Sequence, residues 1–143
     1  MSEQSNRAVA ERAVRVLTAG VALDGDLSLP SAARAVVVFA HGSGSSRHSP
    51  RNRYVAGVLQ AAGFATLLMD LLTPDEEQVD ARTGALRFDI ALLARRLVGA
   101  TDWLAQQAAT RALRVGYFGA STGAAAALVA AAERPEAVGA IVS

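Results

Sequence analysis

Residues 115–133 read VGYFGASTGAAAALVAAAE, and the fold turns on how this stretch is divided. Val115 to Gly119 is a short apolar run with β-leaning residues, while Ala124 to Ala132 is dominated by alanine, the strongest helix former. Gly119, Ala120, Ser121, Thr122 and Gly123 must therefore carry the chain from a strand into a helix through one sharp bend. Glycine at both ends lets strand and helix approach closely around it. A strand that runs straight into a helix is the building unit of a parallel sheet.

The same alternation extends outward in both directions. Ala35 to Ala40 is valine-rich with no polar alternation, as expected of a strand buried on both faces, and Ala65 to Asp70 is a second such run. Between them a polar, glycine-rich loop spans His41 to Arg51, and Tyr54, Val55, Val58, Leu59 and Ala62 then recur at helical spacing, with Gly63 as the C-terminal cap. Thr73 to Gly84 reads as a polar loop. Leu86, Ile90, Leu93, Leu97 and Leu104 form one apolar helical stripe, with Trp103 packed near its end. Ser121 to Glu133 reads as the next helix and Ala137 to Ser143 as another strand. At the front, Val14 to Thr18 and Val21 to Leu29 flank Ala19 and Gly20 as antiparallel strands, the second interrupted at Asp24 and Gly25, a pair favoured in hairpin turns. The expected architecture is α/β: a mostly parallel sheet with helices on both faces and right-handed crossovers, in one domain over residues 1–143.

Composition narrows the function. The 143 residues are 52% apolar, enough for a core, and 14 basic residues nearly balance 13 acidic ones. That balance gives no footprint for nucleic acid or an anionic membrane and favours a small-molecule substrate. All the basic residues are arginine and they are scattered, so no site follows from them. With no cysteine, disulfides, thiolate metal sites and a cysteine nucleophile are excluded together. The polar start and the absence of a long apolar run predict a cytoplasmic chain without a membrane span.

Ser121 is the candidate nucleophile. A serine hydroxyl attacks well only when it is held exposed beside a base and near donors for the oxyanion it creates. The strand-to-helix turn provides the exposure, and the helix N-terminus directs its dipole and N–H groups at the same point. The competing structural role is that of a helix-capping serine.

The segments Val36 to Ser46, Ala65 to Thr73 and Tyr117 to Ala126, with the opening Gly20 to Pro30, together resemble the dienelactone-hydrolase-related branch of the α/β-hydrolase superfamily. The resemblance implies an α/β-hydrolase fold and a Ser121 acyl-enzyme mechanism on a carboxylic ester, thioester or lactone, with no metal or organic cofactor. Backbone N–H groups of Thr122 and Ser43 would form the oxyanion hole, with Gly42 as the alternate donor. Gly119 and Gly123 shape the elbow, and His41 and Gly44 support the oxyanion loop. Dienelactone hydrolases use cysteine, so Ser121 sets their particular lactone apart. Family order places the triad acid and base after the nucleophile, and neither position is found in this chain. The expectation is that the C-terminal strands of the fold are missing too. Two assembly routes stay open, a homo-oligomer or a complementing C-terminal segment.

The remaining polar residues take quieter roles. His41 is expected to shape the loop rather than act as base, and His48 to be solvated. Asp70 is expected to accept hydrogen bonds from loop N–H groups, and Arg47, Arg51 and Arg53 to form a solvated basic loop more readily than an anion site. Two other functions compete. Strand, Gly42 to Arg47, helix, strand and Asp70 has the outline of a dinucleotide-binding unit, although Arg47 stands where the third glycine belongs. The other is that of a catalytically incomplete hydrolase fragment or an interaction subunit.

Overall fold

The structure, a computed structural model, describes residues 9–42 and 46–142. Six strands form one sheet in the order β1-β2-β4-β3-β5-β6. These are β1 (Val9–Thr18), β2 (Val21–Pro30), β3 (Ala35–Ala40), β4 (Ala65–Met69), β5 (Arg114–Gly119) and β6 (Val138–Val142). The two N-terminal strands pair antiparallel and β2 continues antiparallel onto β4, whereas β4, β3, β5 and β6 are mutually parallel. The helices are α1 (Pro50–Ala61), α2 (Pro74–Thr83), α3 (Ile90–Gln106) and α4 (Thr122–Glu133), and a 3-10 turn covers Leu86–Phe88.

Burial follows from the sequence pattern. Every residue of β4 is buried, because β2 and β3 flank it and helices cover both of its faces. Leu93, Leu97, Ala100 and Leu104 of α3 and Ala126, Ala127 and Ala130 of α4 pack on one side with Val36, Val38, Leu67 and Tyr117. On the other side Val55, Ala56 and Leu59 of α1 meet Phe39, Leu68 and Phe118. The buried Thr101 hydroxyl is bonded internally: its Oγ1 lies at hydrogen-bond distance from the Tyr117 hydroxyl and donates to the Leu97 carbonyl.

The hairpin turn is at Ala19 and Gly20, between the two strands expected to flank them, both at positive φ (47° and 85°), as a two-residue turn between right-twisted strands requires. Three local expectations change. Asp24 and Gly25 continue β2 instead, and a Cβ at Gly25 would sit 3.2 Å from Leu67, Leu68 and Met69 atoms of the neighbouring strand. Leu86 belongs to the 3-10 turn and not to α3, whose N-cap is Asp89, accepting from the Leu92 N–H.

The span from Thr73 to Gly84 is helical rather than loop. Thr73 Oγ1 accepts from the Glu76 N–H while Glu76 Oε1 accepts from the Thr73 N–H, Pro74 opens the helix, and Gly84 leaves it at φ 69°. Polar composition hid a capping box with its C-terminal glycine. Thr73→Ala should lower stability by about 1 kcal/mol, measurable by urea unfolding.

Candidate active site

The carboxyl ends of β3, β4 and β5 lie side by side on one edge of the sheet, because those strands are parallel. They deliver His41 and Gly42, Asp70, and Ala120 and Ser121 to that edge.

Ser121 occupies the bend between β5 and α4 at φ 57° and ψ −129°. A non-glycine residue at positive φ is costly, and the surrounding packing has to hold it there. Ser121 is exposed, and although it sits at the N-cap position its side chain makes no capping hydrogen bond. The helix-capping role therefore does not describe this serine. The turn closes through its backbone instead, with the Gly123 N–H donating to the Ala120 carbonyl at 2.9 Å and the Ala124 N–H to the Ser121 carbonyl at 3.0 Å.

Three glycines set how tightly the pieces meet. A Cβ at Gly123 would lie 2.2 Å from the Ala40 carbonyl oxygen and 2.6 Å from that of His41. At Gly119 it would approach the Gly123 carbonyl oxygen to 2.8 Å. Gly42 packs directly on the elbow, since its Cβ would fall 3.0 Å from the Ser121 Cβ and 3.1 Å from the Ala120 carbonyl oxygen. Gly42 and Ser121 are thus brought together, and Thr122 is the first residue of α4 beside them. Ser43 and Gly44 lie outside the described residues.

His41 is buried, and its Nε2 accepts the Leu71 N–H at 3.0 Å. Its Nδ1, 3.2 Å from the Gly42 carbonyl oxygen, is then the protonated nitrogen. Burial pushes its pKa below the ordinary value, against a smaller upward pull from the Gly42 carbonyl and from Asp70. A neutral imidazole committed to backbone on both sides ties the ends of β3 and β4 together. His48 is on the rim, its Nδ1 3.4 Å from an Arg53 guanidinium nitrogen.

Asp70 accepts the Arg47 N–H at 2.8 Å through Oδ1 and pairs with the Arg47 guanidinium through Oδ2. Arg47 also lies 3.6 Å from Asp26, which pairs with Arg53 at 2.7 Å. Arg47 and Arg53 are therefore not a solvated basic loop: two carboxylates hold them. They fasten the far side of the glycine-rich loop to β2 and β4. The Arg47 N–H bond to Asp70 is the loop N–H contact expected of that carboxylate, but the guanidinium pairing was not anticipated, because Arg47 and Asp70 are separated by 23 positions and no local pattern links them. Arg51 is exposed on α1. Among the described residues no cluster of three or more His, Cys, Asp or Glu side chains could hold a metal ion, and no helix is long and apolar enough to cross a membrane.

No model of a protein family matches the chain. Among solved structures, it is 65% identical to a dienelactone hydrolase from Anabaena variabilis, with a TM-score of 0.92 over 93% of this chain and 62% of that one. Est1E from Butyrivibrio proteoclasticus shares the fold at 17% identity and a TM-score of 0.73, over 90% of this chain and 49% of that one. A Mycobacterium tuberculosis (strain H37Rv) protein named "Putative phosphoribosyl transferase" is 62% identical over 130 residues, which are 91% of this chain and 28% of that protein. The chain thus spans less than two thirds of the length of these relatives. Its sheet order, its serine elbow against Gly42 and its likeness to the Anabaena protein agree: the chain has the α/β-hydrolase fold and matches the branch related to dienelactone hydrolase.

Proposed function

We propose that this chain carries the nucleophile and oxyanion side of a serine hydrolase acting on a carboxylic ester, thioester or lactone. The observation that carries the reading is Ser121 itself: exposed, at positive φ between β5 and α4, without a capping bond, and packed against Gly42. Its Oγ attacks the carbonyl carbon, the carbonyl oxygen takes up the negative charge, and the hydroxyl proton passes to a base. The N–H of Thr122, with that of Ser43 or alternatively Gly42, stabilises the oxyanion beside the positive end of α4. Collapse of the tetrahedral intermediate expels the alcohol or thiol, and water then releases the acid.

His41 does not serve as the base, because its Nε2 holds the Leu71 N–H and its Nδ1 faces the Gly42 carbonyl. The base in this reading comes from polypeptide beyond these 143 residues. The chain alone is then a catalytically incomplete hydrolase, with the limited rate that an oxyanion site without a triad supports. The dinucleotide reading loses support, since both Asp70 oxygens are engaged by Arg47 and would have to leave it to reach a ribose. The transferase name belongs to a protein of which just over a quarter matches this chain, and it is not carried over.

A fluorophosphonate probe tests the proposal. Intact-mass analysis should show one adduct, peptide mapping should place it on Ser121, and Ser121→Ala should abolish it. A chain extended through the triad acid and histidine should hydrolyse activated esters well, and the 143-residue chain weakly. Equal rates in both, with Ser121→Ala harmless, would exclude the serine mechanism.

A further inference from the structure

The loop that leaves β3 is fastened at both of its ends to one place. At its start, His41 Nε2 accepts the Leu71 N–H at 3.0 Å, and Gly42 packs on Ser121. At its far end, the Arg47 N–H donates to Asp70 Oδ1 at 2.8 Å and the Arg47 guanidinium pairs with Asp70 Oδ2. Asp70 and Leu71 are consecutive residues at the carboxyl end of β4, so His41 and Arg47 hang on one dipeptide. That dipeptide is itself fixed. The Asp70 N–H donates to the Asp24 carbonyl of β2 at 2.9 Å, and Arg96 of α3 holds the Leu71 carbonyl at 3.0 Å.

The outer anchor is more than a stable loop calls for. The side chains of Asp70 and Arg47 are only 12% and 23% exposed, so the pair gives up most of its hydration. Arg47 Nε is buried without a hydrogen-bond partner among the described residues. It stands 3.6 Å from Asp26 Oδ2, which already accepts from Arg53 at 2.7 Å. The start of α1 does not depend on this arrangement: the Ser49 N–H donates to the Ser46 carbonyl at 3.1 Å, and Ser49 Oγ caps the helix through the Asn52 N–H. A desolvated ion pair with an orphaned donor, dispensable to the local fold, is what a functional constraint on geometry leaves behind.

We infer that Asp70 is a positioning residue for the oxyanion side of the site: through Arg47 it sets where the backbone after Gly42 stands relative to Ser121. Asp70 touches no reacting atom in this role. It fixes the chain downstream of the Gly42 and Ser43 amides as His41 fixes it upstream. Only residues 43–45 separate Gly42 from Ser46, so little chain is available to absorb a displaced Arg47. Misplaced oxyanion donors weaken stabilisation of the developing charge more than they weaken binding. The catalytic meaning of the anchor rests on the hydrolase reading; the anchor itself does not.

Asp70→Asn tests the inference, because it keeps the side chain's size and an acceptor for the Arg47 N–H while removing the charge that holds the guanidinium. Saturation kinetics of fluorophosphonate labelling of the 143-residue chain should show the maximal rate constant at Ser121 lowered at least about ten-fold, with the half-saturating probe concentration nearly unchanged. Arg47→Met should do the same, and the double variant should be no slower than either single one, since both act through one contact. Asp102→Asn is the control. It breaks the pair between α3 and Arg134, at the opposite end of α4 from Ser121, and should label as the parent does. Parent-like labelling of Asp70→Asn would overturn the inference, as would losses that multiply in the double variant. If Asp70→Asn does not fold, Arg47→Met is compared with Arg47→Lys, which keeps a charge for Asp70; a lysine variant no faster than the methionine one would overturn it. A parent chain that the probe leaves unlabelled counts against the hydrolase reading. The anchor is then judged by amide NMR, where the Gly42 and Ser121 resonances should shift in Asp70→Asn and unmoved resonances would overturn it.

Discussion

Gly123→Ala should destabilise the chain by about 3 kcal/mol and greatly slow fluorophosphonate labelling of Ser121, an effect far larger than one methyl group normally causes. The added Cβ would meet the Ala40 carbonyl oxygen at 2.2 Å, the His41 carbonyl oxygen at 2.6 Å and the Ala40 carbonyl carbon at 2.8 Å. All three are backbone atoms at the end of β3, which is hydrogen-bonded on both sides to β4 and β5, so neither a rotamer change nor a local shift relieves the clash. Either α4 moves away from β3 or the segment carrying His41 and Gly42 does. Each movement separates Gly42 from Ser121. Gly57→Ala is the control: it lies inside α1 with nothing within 4 Å of its Cβ position, and alanine there should stabilise by about 1 kcal/mol. Urea unfolding of both variants, with labelling rates, checks the pair. A Gly123→Ala protein as stable and as reactive as the parent would mean that the elbow is looser than its contacts require.

That clash explains why the elbow could be read from sequence while its surroundings could not. Glycine at positions 119 and 123, a preceding apolar run and a following alanine-rich run are local features, and local features specify a strand–turn–helix. The parallel core was legible for the same reason, since β3 and β4 are continuous apolar runs. What failed was either polar or distant. The capping box of α2 was masked by charged residues that made a helix resemble a loop, although Thr73 and Glu76 at the right spacing carried the signal. Asp24 and Gly25 form a turn dipeptide in isolation, but burial of Gly25 against β4 overrides that preference. The links of Arg47 to Asp70 and of His41 to the Leu71 N–H join residues 23 and 30 positions apart, which no periodicity encodes. The part of the site that answers to chain-distant geometry is therefore the part that sequence reading leaves open.

Glu76→Gln should cost about 2–3 kcal/mol at neutral pH, near the lower end of what breaking a buried ion pair costs because Glu76 is partly exposed. Its carboxylate takes both Arg96 terminal nitrogens at 2.8 Å, while Arg96 Nη1 also donates to the Leu71 carbonyl at 3.0 Å. The side chain of Arg96 is 8% exposed and that of Glu76 27%, so the substitution leaves a guanidinium with little water and no counter-charge. Hydrogen bonds from Arg96, chiefly, hold the Glu76 pKa down to about 2. A pKa lowered by folding contributes stability that is complete above the ordinary value of 4.5 and is lost as pH falls toward 2. The stability gap between the parent and Glu76→Gln should therefore be constant from pH 7 to pH 5 and narrow below that. Replacing both partners, as Glu76→Gln with Arg96→Met, should recover much of the loss, because the unpaired charge is what costs most. The consequence reaches the elbow. Arg96 holds the Leu71 carbonyl and His41 holds the Leu71 N–H, so α2, α3 and the end of β3 are joined through one peptide-linked residue. Slower Ser121 labelling in Glu76→Gln, at a denaturant-free pH where the protein remains folded, would show that this linkage helps position Gly42. Unchanged labelling would confine the ion pair to stability.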